Sequence, residues 1–361
     1  MADLQDHLYV APTPIGIPAD TTDAPDGLAE APTPAETDIE RARVLLAAQL
    51  VVDGHNTLAQ ELDRTHWHDL QHGSAFLDTD IPRIRAGGVG AQFWSLHVPP
   101  GPGAVQETLD RIDAVRTLIA SCPEALRLAL TAADMVQARD CGRIASLLGP
   151  VSGAALGDSL GTLRAYHALG VRSLSLAGTG WTADPAGLTP FGEETIREMN
   201  RLGVIADLTG SSGATMERVL DLSKAPVVLS HSAARALTPH ADNAPDDVLR
   251  RLAANRGVCM VSFAPDQVTR RADQPATLWD VADHVEHVRE VAGPQCVGLA
   301  GSYGMSNDAP HTVGLEDASC YPNLIAELLR RDWAEADVAA LTWGNAARVV
   351  REAADAAQPA P

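Results

Sequence analysis

The sequence predicts an α/β fold, a (β/α)8 TIM-type barrel, and three observations predict it. Short β-branched or apolar runs recur along the chain. Each is followed by glycine or a polar residue and then by a stretch with helical periodicity, the alternation expected of parallel strands joined by helices. There are eight such runs, at 50–52, 91–96, 144–148, 173–176, 204–208, 226–230, 258–263 and 296–300. Eight strands with amphipathic connections fit one barrel of ordinary size better than two separate domains.

The connections carry helix signals in order. An amphipathic stretch at 39–50 leads into the first strand, and others lie at 104–120, 192–202, 216–223, 246–255 and 324–331. Pro245-Asp246-Asp247 opens a helix with proline and acids, and Gly203 and Gly257 are read as closing others. His284 and His287, three apart in a helical stretch at 280–290, read as surface residues. The ends differ in character. Residues 1–38 contain Ala-Pro-Thr-Pro twice, from Ala11 and from Ala31, and read as a disordered acidic arm; 39–354 is the barrel domain and 355–361 a tail.

Composition removes several functions. Twenty-seven basic residues against 47 acidic ones give a net charge of −20, a surface that repels phosphate backbones and anionic lipid. Nucleic acid and membrane are therefore not expected partners. The sequence shows no uncharged apolar run of about 18 residues and no leader pattern, so the expected compartment is the cytoplasm. The five cysteines form no Cys-x-x-Cys pair, which argues for reduced thiols over a disulfide framework or a zinc knuckle. A chain rich in Ala, Arg, Asp and Pro, with Lys224 its single lysine, fits a GC-rich bacterial genome, where such barrels are reused in specialised metabolism.

In a barrel of this kind chemistry sits at the carboxyl ends of the strands. Those ends carry His55 with Thr57, His97, Ser152, Gly178, Gly210, His231, Ala264 and Ser302, a set poor in carboxylates. His55, His97 and His231 are the candidate catalytic residues, because an imidazole with an ordinary pKa of about 6.5 suits acid–base work near neutral pH. Asp53 and Asp207, near their strand ends, are placed to orient them. Thr57, Ser152 and Ser302 are candidate substrate-binding residues, with Trp94, Trp181 and Tyr303 expected to ring the mouth. No Gly-x-Ser-x-Gly surrounds Ser152 or Ser302, so a nucleophile there needs a base within reach. The segment 65–72 holds His66, His68, His72 and Trp67, a solvated lid or a metal-collecting tract.

Longer stretches add a resemblance. Val52-Asp53-Gly54-His55-Asn56, Thr79-Asp80-Ile81-Pro82-Arg83, the run at 86–95, Leu188-Thr189-Pro190-Phe191-Gly192, Leu229-Ser230-His231-Ser232, the run at 243–249, and Gly314-Leu315-Glu316-Asp317 with Tyr321-Pro322 occur in that order. Over about 39–354 the chain resembles the membrane dipeptidase (renal dipeptidase) family, zinc hydrolases on amidohydrolase-like barrels. The resemblance implies two zinc ions held by a His-x-Asp pair after strand one, a bridging glutamate after strand three, a histidine after each of strands five and six, and an aspartate after strand eight. At those positions this chain keeps His55 and His231 but has Thr57, Ser152, Gly210 and Ser302. The family's strand-four histidine falls on Gly178, and the arginine that receives the substrate carboxylate falls on Asp242.

Two adjacent dications need anionic ligands between them, and imidazole with hydroxyl supplies none. The expectation is therefore a degenerate metal site with no cofactor, a single zinc on His55 and His231 being the variant case. The function expected is a metal-independent acid–base step on an aminoacyl or peptidyl small molecule, in a pocket that glycine at 178 and 210 enlarges. A non-catalytic binding or scaffold subunit and a mononuclear zinc dipeptidase or amide hydrolase are the alternatives. By resemblance the chain is expected to pair as a homodimer or heterodimer.

Overall fold

The computed structural model describes residues 34–60, 68–74, 76–182, 185–271, 274–304 and 310–357. Nine parallel strands appear among them: β1 (Val51–Asn56), β2 (Val89–Leu96), β3 (Leu126–Leu128), β4 (Ile144–Ser152), β5 (Ser173–Ser175), β6 (Ile205–Asp207), β7 (Val228–Ser232), β8 (Val258–Ser262) and β9 (Val297–Ala300). The order β2-β1-β9-β8-β7-β6-β5-β4 closes on itself through pairing of β2 with β4, giving the eight-stranded barrel. β3 pairs only with the start of β4, outside the ring. It is not one of the eight apolar runs, which coincide with the eight barrel strands.

Both faces of each strand are covered, which is why the strands read as continuous apolar runs. The outer face packs beneath the helices in a large apolar layer that includes Ile112, Leu118, Tyr166 and Tyr321. The inner face forms a smaller cluster of Val52, Ala91, Phe93, Leu147, Ile205 and Met260, joined by Ala346, Val349 and Val350 of the last helix, Asn345–Ala356. That helix caps the amino-terminal end of the barrel: Asn345 Nδ2 donates to the carbonyls of Pro294 and Val297, both at 2.8 Å, where β9 begins. The opposite end is left for chemistry.

Helix limits follow local chemistry. The first helix, Glu36–Ala48, starts three residues before the expected boundary. Pro190–Leu202 begins with Thr189 capping the Gly192 N–H and ends on Gly203 at φ 74°. The helix Asp246–Asn255 ends differently from expectation: Arg256 takes the left-handed turn at φ 63°. Gly257 is small for another reason, since a Cβ there would lie 2.7 Å from the Val227 carbonyl oxygen. Three of the five free cysteines, Cys122, Cys259 and Cys296, are buried.

His284 is a correction. The helix Leu278–Ala292 presents it to the protein, not to solvent. Its Nδ1 accepts from the Ala234 N–H at 3.0 Å, so Nε2 carries the proton, 3.2 Å from the Val268 carbonyl and 3.3 Å from Thr238 Oγ1. His287 is half-buried, with Nε2 2.9 Å from Asp246 Oδ1. Spacing of three did place both on one helix face, but that face packs against the helix Asp246–Asn255.

Burial pushes the His284 imidazole down to about 4. An unfolded chain takes up this proton near 6.5 and the folded chain only near 4. Stability is therefore whole above about pH 6.5 and falls with pH through that window, losing on the order of 3 kcal/mol at its lower end. Urea unfolding from about pH 7 to about pH 4 is expected to show a flatter loss for His284→Gln than for the native chain; equal slopes would refute the assignment.

Candidate active site at the barrel mouth

His55 near the end of β1 and His231 in β7 meet across the mouth. Their rings stack, centroids 3.9 Å apart and planes inclined by 16°. Each lies within an irregularity in strand register, between Asp53 and Asn56 in β1 and between Leu229 and Ser232 in β7. Such bulges turn a side chain away from the regular pleat. Burial holds both imidazoles below the ordinary histidine range. For His55, which lies well below it, His231 and His97 deepen the effect; for His231, Asp207 and Asp242 oppose it.

Behind His231 stands a chain of hydrogen bonds. Ser230 Oγ donates to Asp207 Oδ2 at 2.7 Å and lies 2.8 Å from His231 Nδ1. A serine has one hydroxyl proton, and Asp207 receives it, so His231 must donate its Nδ1 proton to Ser230. This network leaves Nε2 as the basic nitrogen. The Asp207 carboxylate is fully buried and accepts three more bonds at Oδ1, from Thr209 N–H (3.1 Å), Thr209 Oγ1 (2.8 Å) and Ser230 N–H (3.0 Å).

The surroundings of His55 differ. Its Nδ1 lies 3.4 Å from Ser302 Oγ, which is 3.3 Å from Ser262 Oγ. Ser262 Oγ in turn accepts from the Ala264 N–H at 3.1 Å. Ser302 is left-handed at φ 56°, unusual for a residue with a Cβ. Its N–H donates to the His55 carbonyl at 3.0 Å. Asp53 fastens the same corner, its Oδ1 accepting from the N–H groups of His55 (3.1 Å) and Gly301 (2.9 Å). Burial pushes this carboxyl up to about 7 in spite of those bonds.

Ser302 also lines a cavity of about 200 Å³ with Thr57, Phe263, Tyr303 and His311. Thr57 Oγ1 donates to the Tyr303 carbonyl at 3.2 Å. Ser152 is buried at the end of β4. Asp242 reaches the mouth: its Oδ1 would be 2.8 Å from a Cβ at position 210. The enlargement expected at Gly210 is thus filled by a carboxylate, while at Gly178 the space is open. His97 is exposed at the rim, near enough to depress the His55 pKa, and its carbonyl accepts from Arg111.

The aromatic ring around the mouth is not formed. Trp94 is wholly buried in the outer layer, because Phe93 takes the inward position on β2. Trp181 is buried edge-on to Phe191, ring centroids 6.3 Å apart. Tyr303 lines the cavity but is buried, its hydroxyl donating to the Leu315 carbonyl at 3.0 Å. Within 65–72, His66 and Trp67 lie outside the described residues, and His72 is exposed. Ser230 and Ser262 were not among the sequence candidates; a serine at an inward position of an otherwise apolar strand was the available signal.

Among the described residues no three His, Cys, Asp or Glu side chains gather to hold a metal. The two mouth imidazoles do not substitute. Imidazole lone pairs lie in the ring plane, and planes 16° apart at this separation intersect only on the order of 10 Å away, far beyond a zinc–nitrogen bond of about 2 Å. As arranged, the donors do not fit a shared ion.

The membrane dipeptidase family, peptidase family M19, matches residues 39–361. Human dipeptidase 3 is 38% identical over 346 residues, covering 89% of this chain and 68% of the relative. Dipeptidase aclJ of Aspergillus oryzae is 38% identical over 329 residues, covering 83% and 77%. Among solved structures, the probable dipeptidase PvdM from Pseudomonas aeruginosa superposes with a TM-score of 0.81 at 22% identity, covering 89% of this chain and 99% of that one. A Pseudomonas aeruginosa amidohydrolase does so with a TM-score of 0.74 at 25% identity, covering 86% and 98%. From the strand order through the sequence likeness, the chain belongs to the membrane dipeptidase family.

Proposed function

We propose that this barrel works without the family's paired zinc ions, as an enzyme whose mouth histidines perform acid–base chemistry on an aminoacyl or peptidyl small molecule. The observation that carries the reading is the Asp207–Ser230–His231 chain of hydrogen bonds. It fixes one tautomer, presents Nε2 as the base, and stabilises the imidazolium once formed, because the buried carboxylate is coupled to Nδ1 through a hydroxyl. Among the described residues, His55 has no such carboxylate hydrogen-bonded to its ring. Two stacked rings cannot both be charged without mutual repulsion, so while His231 holds a proton His55 stays neutral. Asp242 beside Gly210 makes a cation or an amino group a better neighbour than a free carboxylate.

The substrate class is supported by the names of the relatives, which are dipeptidases. The test is turnover of a dipeptide and aminoacyl-amide panel by protein purified without chelator, assayed before and after metal removal and paired with elemental analysis. Unchanged turnover after chelation is expected; stoichiometric zinc that turnover requires would overturn the reading. His231→Asn is expected to lower kcat/KM by about 10²- to 10⁴-fold with little change in Tm. Ser230→Ala breaks the link to Asp207 and leaves the buried Asp207 Oδ2 acceptor and the His231 Nδ1–H donor unpaired, at an expected stability cost of about 1–3 kcal/mol. In ¹⁵N-histidine NMR the native His231 should appear as the Nδ1–H tautomer, and that signature should weaken in the Ser230→Ala variant.

A further inference from the structure

We propose that Ser302 is a nucleophile, acylated by small amides or esters with His55 as its base. The inference rests on the metal-independent reading above, since an ion at the mouth would claim the same imidazole. Three features single this serine out. Its Oγ is 3.4 Å from His55 Nδ1, the base within reach that a bare serine requires. It lines the cavity of about 200 Å³ beside the mouth, with Thr57, Phe263, Tyr303 and His311 as walls, so the hydroxyl meets whatever enters. And its backbone is left-handed at φ 56° without being glycine, a conformation that persists only where the surroundings over-determine it and that clusters at functional sites.

The other mouth serines lack this combination. Ser230 gives its proton to Asp207 and is buried. Ser152 is buried at the end of β4. Ser262 lies 3.3 Å from Ser302 Oγ and is placed to pass a hydrogen bond to it.

In the first half-reaction Ser302 Oγ forms a bond to the acyl carbon as the bond from that carbon to the leaving amine or alcohol breaks. The hydroxyl proton passes to His55 Nδ1 and from there to the leaving group. In the second, water attacks the serine ester, its proton travels through His55 back to Ser302 Oγ, and the carboxylic acid departs.

The test uses the full chain with p-nitrophenyl acetate and, separately, a small alkyl fluorophosphonate. A burst near one nitrophenolate per chain is expected, with an acetyl or phosphonyl adduct mapping to the peptide that carries Ser302. Ser302→Gly suits a positive φ better than serine, so it should keep or raise Tm while slowing acylation by about 10³-fold and losing the adduct. His55→Asn should slow acylation in the same assay. Absence of an adduct from both probes, or an adduct that persists in the Ser302→Gly variant, overturns the proposal. The two readings fail separately. Zinc-free turnover that depends on His231 with no Ser302 adduct leaves the acid–base site standing and removes the nucleophile, whereas zinc-dependent turnover removes the acid–base site itself.

Discussion

The mouth of this barrel depends on one buried charge. Asp207 ends β6 with its carboxylate sealed from water, a position that costs several kcal/mol unless hydrogen bonds replace the lost hydration. Four donors replace it, two from Thr209 and two from Ser230. Because Ser230 belongs to the neighbouring strand, satisfying the charge also ties β6 to β7 and sets the ring of the next residue, His231. The same interaction is thus a fold determinant and a proton-handling device.

Asp53 plays the corresponding part on β1 by other means. It holds the His55 and Gly301 amides with one oxygen and does not bond to the His55 ring. One mouth imidazole is therefore coupled to a carboxylate through a hydroxyl, while its stacked partner faces serines 302 and 262. Groups whose environments push them apart are the usual basis for dividing acid from base roles. The division here comes from which backbone or side-chain donors each aspartate recruits.

The residues of the mouth also fit around one another. Where a side chain at position 210 would stand, Asp242 leans in, and Ser302 occupies a left-handed turn beside His55. The cavity persists between Thr57 and His311. The helices and the outer apolar layer carry the packing of the buried strands.

The eight barrel strands were legible because both of their faces are covered, which writes each one as an unbroken apolar run. That same property hid which residues face inward: without polar alternation, Trp94 and Phe93 could not be assigned to opposite sides, and the aromatic rim was misplaced. Helix periodicity likewise located His284 on a face but not what that face packs against. The sequence by itself determined the barrel and the family, since these depend on local pattern and residue type. Only the tertiary structure decided that His55 and His231 stack, that Ser230 links His231 to Asp207, and that Ser302 lies within reach of an imidazole. Those are contacts between strands distant in the chain, set by barrel closure and by bulges of a single residue, and no local periodicity encodes them.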